Sequence, residues 1–382
     1  MVKNILFILT LFSCSASQKE DPHFSYKLSE KKSIVLDQLS LVPGYPFPPY
    51  QVFQKSDSIV FYNSFTLGLA SLKLVKDDFR YDEIGAFEEF GESVNGTPFF
   101  LTISKNNIGI WNSQKVNFYN NKLALLKKVN LNELDIIKEY DSPYFKGPNS
   151  FQIGLAFNGI DNSSDRLYLF ATDILDDSIG LFSYDVANER LEVLPTFYDK
   201  ALIKSQKIQY QGFSLDHLPF ILFDNNRLII SYYYDAKIEV LDLNTQKSFV
   251  YETQTANYPN RKMIKPVFPQ GATIRQAWEL SNEREGEVAF GELQHWESCG
   301  CFYRTIKGPM KSEKLQDFDV YLEIFDENFN KKDEVNLSAI NPNVSNFTIP
   351  LTGKLLIKAK SQSSEDLMDY YFLEIVTLKK DS

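Results

Sequence analysis

The sequence predicts an all-β fold, and within that class a six-bladed β-propeller closed into a ring by an N-terminal strand. Three observations predict it. A strand–turn–strand unit recurs along the chain, the composition favours strands, and an isolated N-terminal strand answers a last unit that is one strand short. The 382 residues include 31 Phe and 21 Tyr and are 43% hydrophobic, enough to bury a large core against pleated, half-buried surfaces.

The clearest unit runs from Asn226 to Tyr251, with strands expected at Leu228 to Tyr233, Lys237 to Leu243 and Ser248 to Tyr251. Period-2 alternation puts Ile238 and Val240 on one face and Glu239 and Leu241 on the other. Upstream, Lys32 to Gln38 reads as a lone strand, and the prolines at 43, 46, 48 and 49 mark a connection. The first unit takes Ser58 to Asn63, Leu67 to Lys73 and Asp82 to Phe87. The second takes Phe99 to Ser104, Ile108 to Trp111, Val116 to Tyr119 and Leu123 to Val129, with a hairpin turn at Asn120-Asn121. The third takes Arg166 to Thr172, Ile179 to Asp185 and Leu191 to Leu194, and its Asp185 closes a strand before a polar turn as Asp242 does in the fourth.

The fifth unit takes Glu287 to Glu292, Cys301 to Lys307, Asp319 to Phe325 and Glu334 to Leu337, with Gly308 to Gln316 expected as a loop. The sixth takes Lys354 to Ala359 and Tyr370 to Leu378, which leaves it one outer strand short. Lys32 to Gln38 can supply that strand and cover an edge that would otherwise template aggregation. Turns about 50 to 80 residues apart suit loosely built blades. A pair of β-sandwiches also gives short strands at regular intervals, but the grouping in threes and fours, the lone N-terminal strand and the lack of a mid-chain linker favour the propeller.

The N-terminus predicts export. Lys3 precedes an apolar run from Ile5 to Phe12, too short to cross a bilayer, and small residues follow it. Leu11-Phe12-Ser13-Cys14 has the form of a bacterial lipoprotein box, in which Cys14 becomes the acylated first residue of the mature chain; the plainer alternative is a cleaved signal with Cys14 near the cut. The expected organisation is a signal peptide over 1–13, an acylated cysteine with a polar tether over 14–30, and a single propeller domain over 31–382. The Gln18-Lys19-Glu20-Asp21 run reads either as a surface-export tag or as solvated tether.

Charge and cysteines narrow the partners. Forty basic against fifty acidic side chains give a net charge of -10, a field that repels phosphate backbones and excludes nucleic acid. Cys299 and Cys301 lie two apart, with His295 on the same strand parity, so a soft-metal site is conceivable beside the alternatives of buried thiols or a local disulfide. At strand ends, where propeller loops converge on a central channel, the binding candidates are Trp111, Arg275, Trp278, His295, Trp296, Tyr303 and Arg304. Tryptophans stack on sugar rings and arginines hold carboxylates in a bidentate fork, whereas the plain reading of each is blade packing or a structural ion pair.

No cofactor is implied. The expected function is a non-catalytic, membrane-anchored module at the outer membrane or cell surface that binds a glycan, a peptide or an envelope protein, as in nutrient uptake. The alternative is a propeller hydrolase acting on glycans or lactones with a metal in the channel, although no G-x-S-x-G nucleophile elbow is present and three histidines leave few general bases.

Together the box, the Pro-rich Tyr45 to Tyr50 entry, Asp57 to Asn63, Asn226 to Leu243 and Phe302-Tyr303-Arg304 carry a family resemblance. The chain resembles the uncharacterised six-bladed propeller lipoproteins of Bacteroidota, a domain-of-unknown-function family. The resemblance implies an envelope location and a propeller architecture, and no activity.

Overall fold

A computed structural model describes residues 24–35, 52–55, 58–63, 68–76, 78–88, 100–103, 107–112, 115–130, 151–153, 159–161, 166–173, 179–206, 208–210, 213–215, 218–263, 273–297, 299–312, 317–351, 353–364 and 367–377. The signal sequence, Cys14 and the Pro-rich entry lie outside them.

Strand alternation and polar turns produce a series of small antiparallel sheets. The first contains Val52–Lys55, Ser58–Asn63, Gly68–Val75 and Asp78–Ala86 in sequence order. The second contains Phe100–Ile103, Ile108–Asn112, Lys115–Tyr119 and Leu125–Asn130. In the third, Phe151–Ile153 and Gly159–Asp161 share the inner edge of Arg166–Asp173, which is followed by Ile179–Asp185 and Arg190–Val193. The fourth contains Phe220–Asp224, Arg227–Tyr232, Asp235–Asp242 and Lys247–Tyr251. In the fifth, Ala289–Phe290 and Gln294–Trp296 share the inner edge of Cys301–Met310, followed by Phe318–Phe325 and Lys331–Asn336. A two-stranded hairpin, Ile208–Tyr210 with Phe213–Leu215, stands between the third and fourth sheets in sequence.

The sixth sheet uses both ends of the chain. Val344–Leu351, Lys354–Ala359 and Leu367–Thr377 are followed across the sheet by Phe24–Leu28 and Lys32–Val35. Phe24 stands opposite Thr377 and Val35 opposite Leu367. The lone N-terminal strand thus does pair with the last unit, and it does so in two pieces. Part of the segment assigned to the tether, Phe24–Leu28, is one of them, because Tyr26 and Leu28 have an apolar cluster to pack against.

Three turns share one construction. Asp185 Oδ1 accepts from the Ala187 and Asn188 N–H groups, Asp242 Oδ1 from those of Asn244 and Thr245, and Asp326 Oδ1 from those of Asn328 and Asn330. Each turn then passes through a residue at positive φ, Glu189 (53°), Gln246 (58°) or Phe329 (61°). The Asp side chain supplies hydrogen bonds that the ladder cannot make there.

Apolar side chains pack the sheets face to face. Ile59, Phe61 and Leu72 of the first sheet meet Ile349, Leu356 and Phe372 of the sixth. Val60 and Leu69 meet Ile108 and Ile110 of the second. Phe118 of the second stacks on Tyr184 of the third at 6.1 Å. Phe170 and Leu181 of the third meet Leu228 and Ile230 of the fourth, and Ile229 and Val240 of the fourth meet Phe302 and Phe325 of the fifth. Leu322 and Ile324 of the fifth meet Leu355 and Ile357 of the sixth. Each such side chain contributes roughly 1.5–3 kcal/mol of burial. The fourth sheet shows the gradient that results. Arg227–Tyr232 is buried on both faces, whereas the outer strand Lys247–Tyr251 is exposed along nearly its whole length.

Helices α1 (Lys200–Gln206), α2 (Ile274–Glu285) and α3 (Leu337–Ile340) all lie in connections. A capping box starts α2: the Gln276 N–H donates to Thr273 Oγ1, and the Thr273 N–H donates back to Gln276 Oε1. No described helix is long and apolar enough to cross a membrane.

Candidate functional site

In an antiparallel meander, the loop between the second and third strands and the connection arriving from the preceding sheet lie at the same end. In the fifth sheet these are the segment from Met310 to Phe318 and the segment carrying α2. Between them and the stretch after the fourth sheet lies a groove of ≈ 1280 Å³. Pro259 and Arg261 form one side, Asn282, Glu283 and Glu285 of α2 a second, and Lys307, Met310, Lys311 and Phe318 the third.

Buried charges behind its lining hold its walls together. Lys262 donates to the Arg284 carbonyl at 2.8 Å, lies 4.5 Å from the centre of the Tyr233 ring, and has Glu285 Oε1 3.8 Å away. Its side chain is 1% exposed. Burial pushes its pKa down to about 8, with Glu285 opposing. Arg284 is also buried, and its guanidinium donates to Gln206 Oε1 at 3.0 Å. Tyr233 donates to Glu285 Oε2 at 2.6 Å, and the Met263 N–H donates to Glu287 Oε1 at 2.6 Å. Lys307 donates to the Glu285 carbonyl, and burial lowers its pKa against the pull of Glu285. These contacts set the last turn of α2 against the fourth and fifth sheets before any ligand arrives, which is what preorganisation requires.

The rim is more open. Arg261 is 3.4 Å from Asp235, with its side chain 62% exposed. Lys311 pairs with Asp319 at 2.7 Å and is 56% exposed. Along α2, Arg275, Trp278, Glu279 and Asn282 follow helical spacing on one stripe, and Asn282 lines the groove. Trp278 is 54% exposed, and Arg275 pairs with Glu279 at 2.8 Å. Two residues chosen from the sequence, Arg275 and Trp278, thus stand on the stripe that leads into the groove.

The other candidates lie elsewhere. Arg304 is a correction: its side chain is fully buried, donating to Glu323 at 2.6 Å, and it belongs to the packing between the fourth and fifth sheets rather than to a rim. Tyr303 is a second correction, fully buried and donating to Gln294 Oε1 at 2.5 Å. Trp296 is a third, 1% exposed and edge-on to Tyr303 at 5.7 Å, at the far end of the fifth sheet. The backbone of Trp111 lies in Ile108–Asn112 opposite Phe100, and its side chain is outside the described residues. Cys299 and Cys301 are joined in a disulfide, so these sulfurs are not free metal ligands in this state. His295 packs on Phe302 at 5.2 Å instead. Among the described residues no group of three His, Cys, Asp or Glu side chains is placed to hold a metal ion.

The Gly308 to Gln316 stretch, expected as a loop, continues the strand to Met310 and so builds a groove wall. Sequence reading missed Lys262, Glu285 and Lys307. The available signal was the capping box Thr273-x-x-Gln276, which predicts α2 and with it a helix end carrying Glu283 and Glu285.

Residues 173–335 match the family model of a domain of unknown function, DUF4221. A solved structure of a DUF4221 family member from Bacteroides vulgatus is similar over 94% of this chain and 100% of its own, with a TM-score of 0.60 at 11% identity. That likeness shows a shared fold. A Bacteroides fragilis protein described as exported aligns over 92% of this chain and 95% of its own, with a TM-score of 0.47 at 9% identity. Regucalcin from Agrobacterium tumefaciens, described as a calcium-binding protein, aligns over 89% and 93%, with a TM-score of 0.42 at 12% identity. Comparison with curated proteins gives no match.

Proposed function

We propose that this chain is a lipid-anchored six-bladed β-propeller of the bacterial envelope, and that it binds a glycan or peptide in the groove beside α2 without transforming it. Support for the ring comes from the sixth sheet, which takes its outer strands from the N-terminus and packs on the first. The observation that carries the binding reading is the groove itself: a concavity walled by both apolar and charged side chains, with an exposed Trp278 on its approach and the cations Arg261 and Lys311 at its rim. An indole stacks on a sugar or peptide plane, and the cations take carboxylates or other polar oxygens.

Strand register supports an orientation. Lys360 donates to the carbonyl of Phe318, which lines the groove, so the Leu367 end of the sixth sheet lies on the groove side. Phe24 pairs at the Thr377 end of the same strand, roughly 30 Å away at about 3.3 Å per residue. An anchor at Cys14, about ten residues before Phe24, then holds the opposite end of the protein towards the membrane within roughly 35 Å, and the groove faces away.

Two measurements on the full-length chain test this. Cys14→Ala should move the folded protein from the detergent-extracted membrane fraction to the soluble one; retention in the membrane overturns the anchor. Trp278→Ala combined with Lys311→Gln should abolish capture of glycan or peptide array components that the unaltered chain binds, at an unchanged melting temperature. Equal capture by both proteins overturns the groove.

A further inference from the structure

The Cys299–Cys301 disulfide lies at the end of the fifth sheet away from the groove, in the turn between Gln294–Trp296 and Cys301–Met310. It joins residues two apart, with Cα atoms 5.2 Å from each other. A bond closing so small a loop constrains the unfolded chain less than any long-range disulfide and ties no distant segments together. The turn is also held without it. The Cys299 N–H donates to the Trp296 carbonyl at 3.2 Å, the Gly300 N–H donates to the Glu297 carbonyl at 3.1 Å, and Trp296 stands opposite Cys301 in the ladder.

The two sulfurs have different surroundings. Cys301 is 6% exposed within the cluster formed by Trp296, Leu322 and Leu355. Cys299 is half-buried, and Gly300 beside it, at φ 58°, has no atom within 4 Å of the position a Cβ would take. The Cys299 sulfur lies 3.3 Å from the Trp296 carbonyl oxygen, so a reduced thiol there has an acceptor already in place. Tyr26 and Leu28 of the N-terminal strand pack against the same cluster.

We propose that the Cys299–Cys301 pair is a thiol–disulfide exchange site, attacked at Cys299. An incoming thiolate forms a bond to Cys299 Sγ as the Cys299–Cys301 bond breaks, and the electron pair leaves on Cys301 Sγ, which takes up a proton. A second thiolate then attacks the incoming sulfur of the mixed disulfide and releases Cys299, which is protonated and donates to the Trp296 carbonyl. The thiols depart joined as a disulfide, and the protein keeps two electrons and two protons. Exposure and loop size make this bond the labile kind, while the backbone turn lets both redox states share one fold.

The test uses the full chain carrying Cys14→Ser, which leaves Cys299 and Cys301 as its only cysteines. Reduced glutathione represents a small thiol and reduced thioredoxin a protein dithiol, with maleimide mass addition counting the thiols that appear in native buffer. Two thiols should appear with at least one reductant while the folded baseline is kept, and the responding reductant identifies the source of the electrons. The Cys14→Ser/Cys301→Ser chain should trap a single mixed disulfide at Cys299 with oxidised glutathione. If neither reductant exposes a thiol until urea unfolds the chain, the proposal fails.

Discussion

Arg304 and Glu323 stand directly opposite each other on neighbouring strands of the fifth sheet, joined at 2.6 Å with both side chains fully buried. The same guanidinium donates to the Ala236 carbonyl of the fourth sheet at 2.8 Å and to Thr253 Oγ1, just past that sheet's last strand, at 3.1 Å, and lies within 5.4 Å of the ring centres of Phe290 and Phe325. Lys331 adds a contact at 3.0 Å to the other carboxylate oxygen. Burial by itself would raise the pKa of Glu323, but Arg304 and Lys331 outweigh it and hold the carboxyl below its usual range.

Removing one partner should therefore cost more than removing both. Glu323→Gln leaves Arg304 without its carboxylate and should destabilise the chain by about 3–5 kcal/mol. Arg304→Met combined with Glu323→Leu should recover much of that loss. Urea denaturation of the three proteins decides it, and a Glu323→Gln cost near zero would show that the pair does not hold the fourth and fifth sheets together.

Lys262 makes stability depend on alkaline pH. Its folded pKa of about 8 lies below the ordinary lysine value, so between roughly pH 8 and 10 the unfolded chain binds more protons and stability rises with pH. Relative to Lys262→Met, the unaltered chain should gain on the order of 2–3 kcal/mol across that window. Denaturation at pH 7 and pH 10 measures the difference, and parallel pH profiles for the two proteins would contradict it.

Asp369 makes the pairing of the chain ends acid-sensitive. It accepts from Ser33 Oγ, Ser363 Oγ and the Ser363 N–H, and pairs with Lys31 at 3.1 Å. Burial pushes its pKa up, yet these donors outweigh burial and lower it. The resulting stability is present above the unfolded value near pH 4 and is lost as pH falls through the lower folded value. Asp369→Asn should cost about 1–3 kcal/mol at pH 6, and its gap to the unaltered chain should narrow towards pH 3. Limited proteolysis before Ser33 should be faster in the variant at pH 6.

Gly68 tolerates no side chain. A Cβ there would lie 2.0 Å from the Gly85 carbonyl oxygen and 2.8 Å from the Ala86 Cα, backbone atoms that cannot rotate away. Gly68→Ala should cost roughly 1–3 kcal/mol, seen as a lowered melting temperature. A melting temperature equal to that of the unaltered chain would mean that the first sheet absorbs the group by shifting.

Hairpins were the legible part of the fold. Ser58–Asn63, Ile179–Asp185 and Lys354–Ala359 have the limits that alternation predicts, and an Asp turn closes the second of them. The first strands of the sheets were legible in the second and fifth, at Phe100–Ile103 and Ala289–Phe290, but not in the others. Val344–Leu351 carries Asn346 and Pro350, which suggest a loop in a sequence, but it is an edge strand of the sixth sheet, where a missing donor is tolerated. Helix α2 has too few apolar residues to show a stripe, and only its capping box marks it. In the fifth sheet, one charge sits at the centre of each apolar run CFYRTI and YLEIF. Opposite signs so placed announce a cross-strand pair, but the register that joins Arg304 to Glu323 is a tertiary fact. The groove comes from three segments between Pro259 and Phe318 that have no common pattern, so local periodicity could not assemble it.

The sixth sheet also sets a timetable. Phe24 and Lys32 are made long before their partners at Thr377 and Tyr370. During synthesis the early strands have nothing to pair with until Leu367–Thr377 follows, and the sixth sheet stays incomplete. Completing that sheet requires contacts of very large sequence separation, a slow kind to form. A chain built this way completes its sixth sheet only once Leu367–Thr377 can meet strands laid down more than 300 residues earlier.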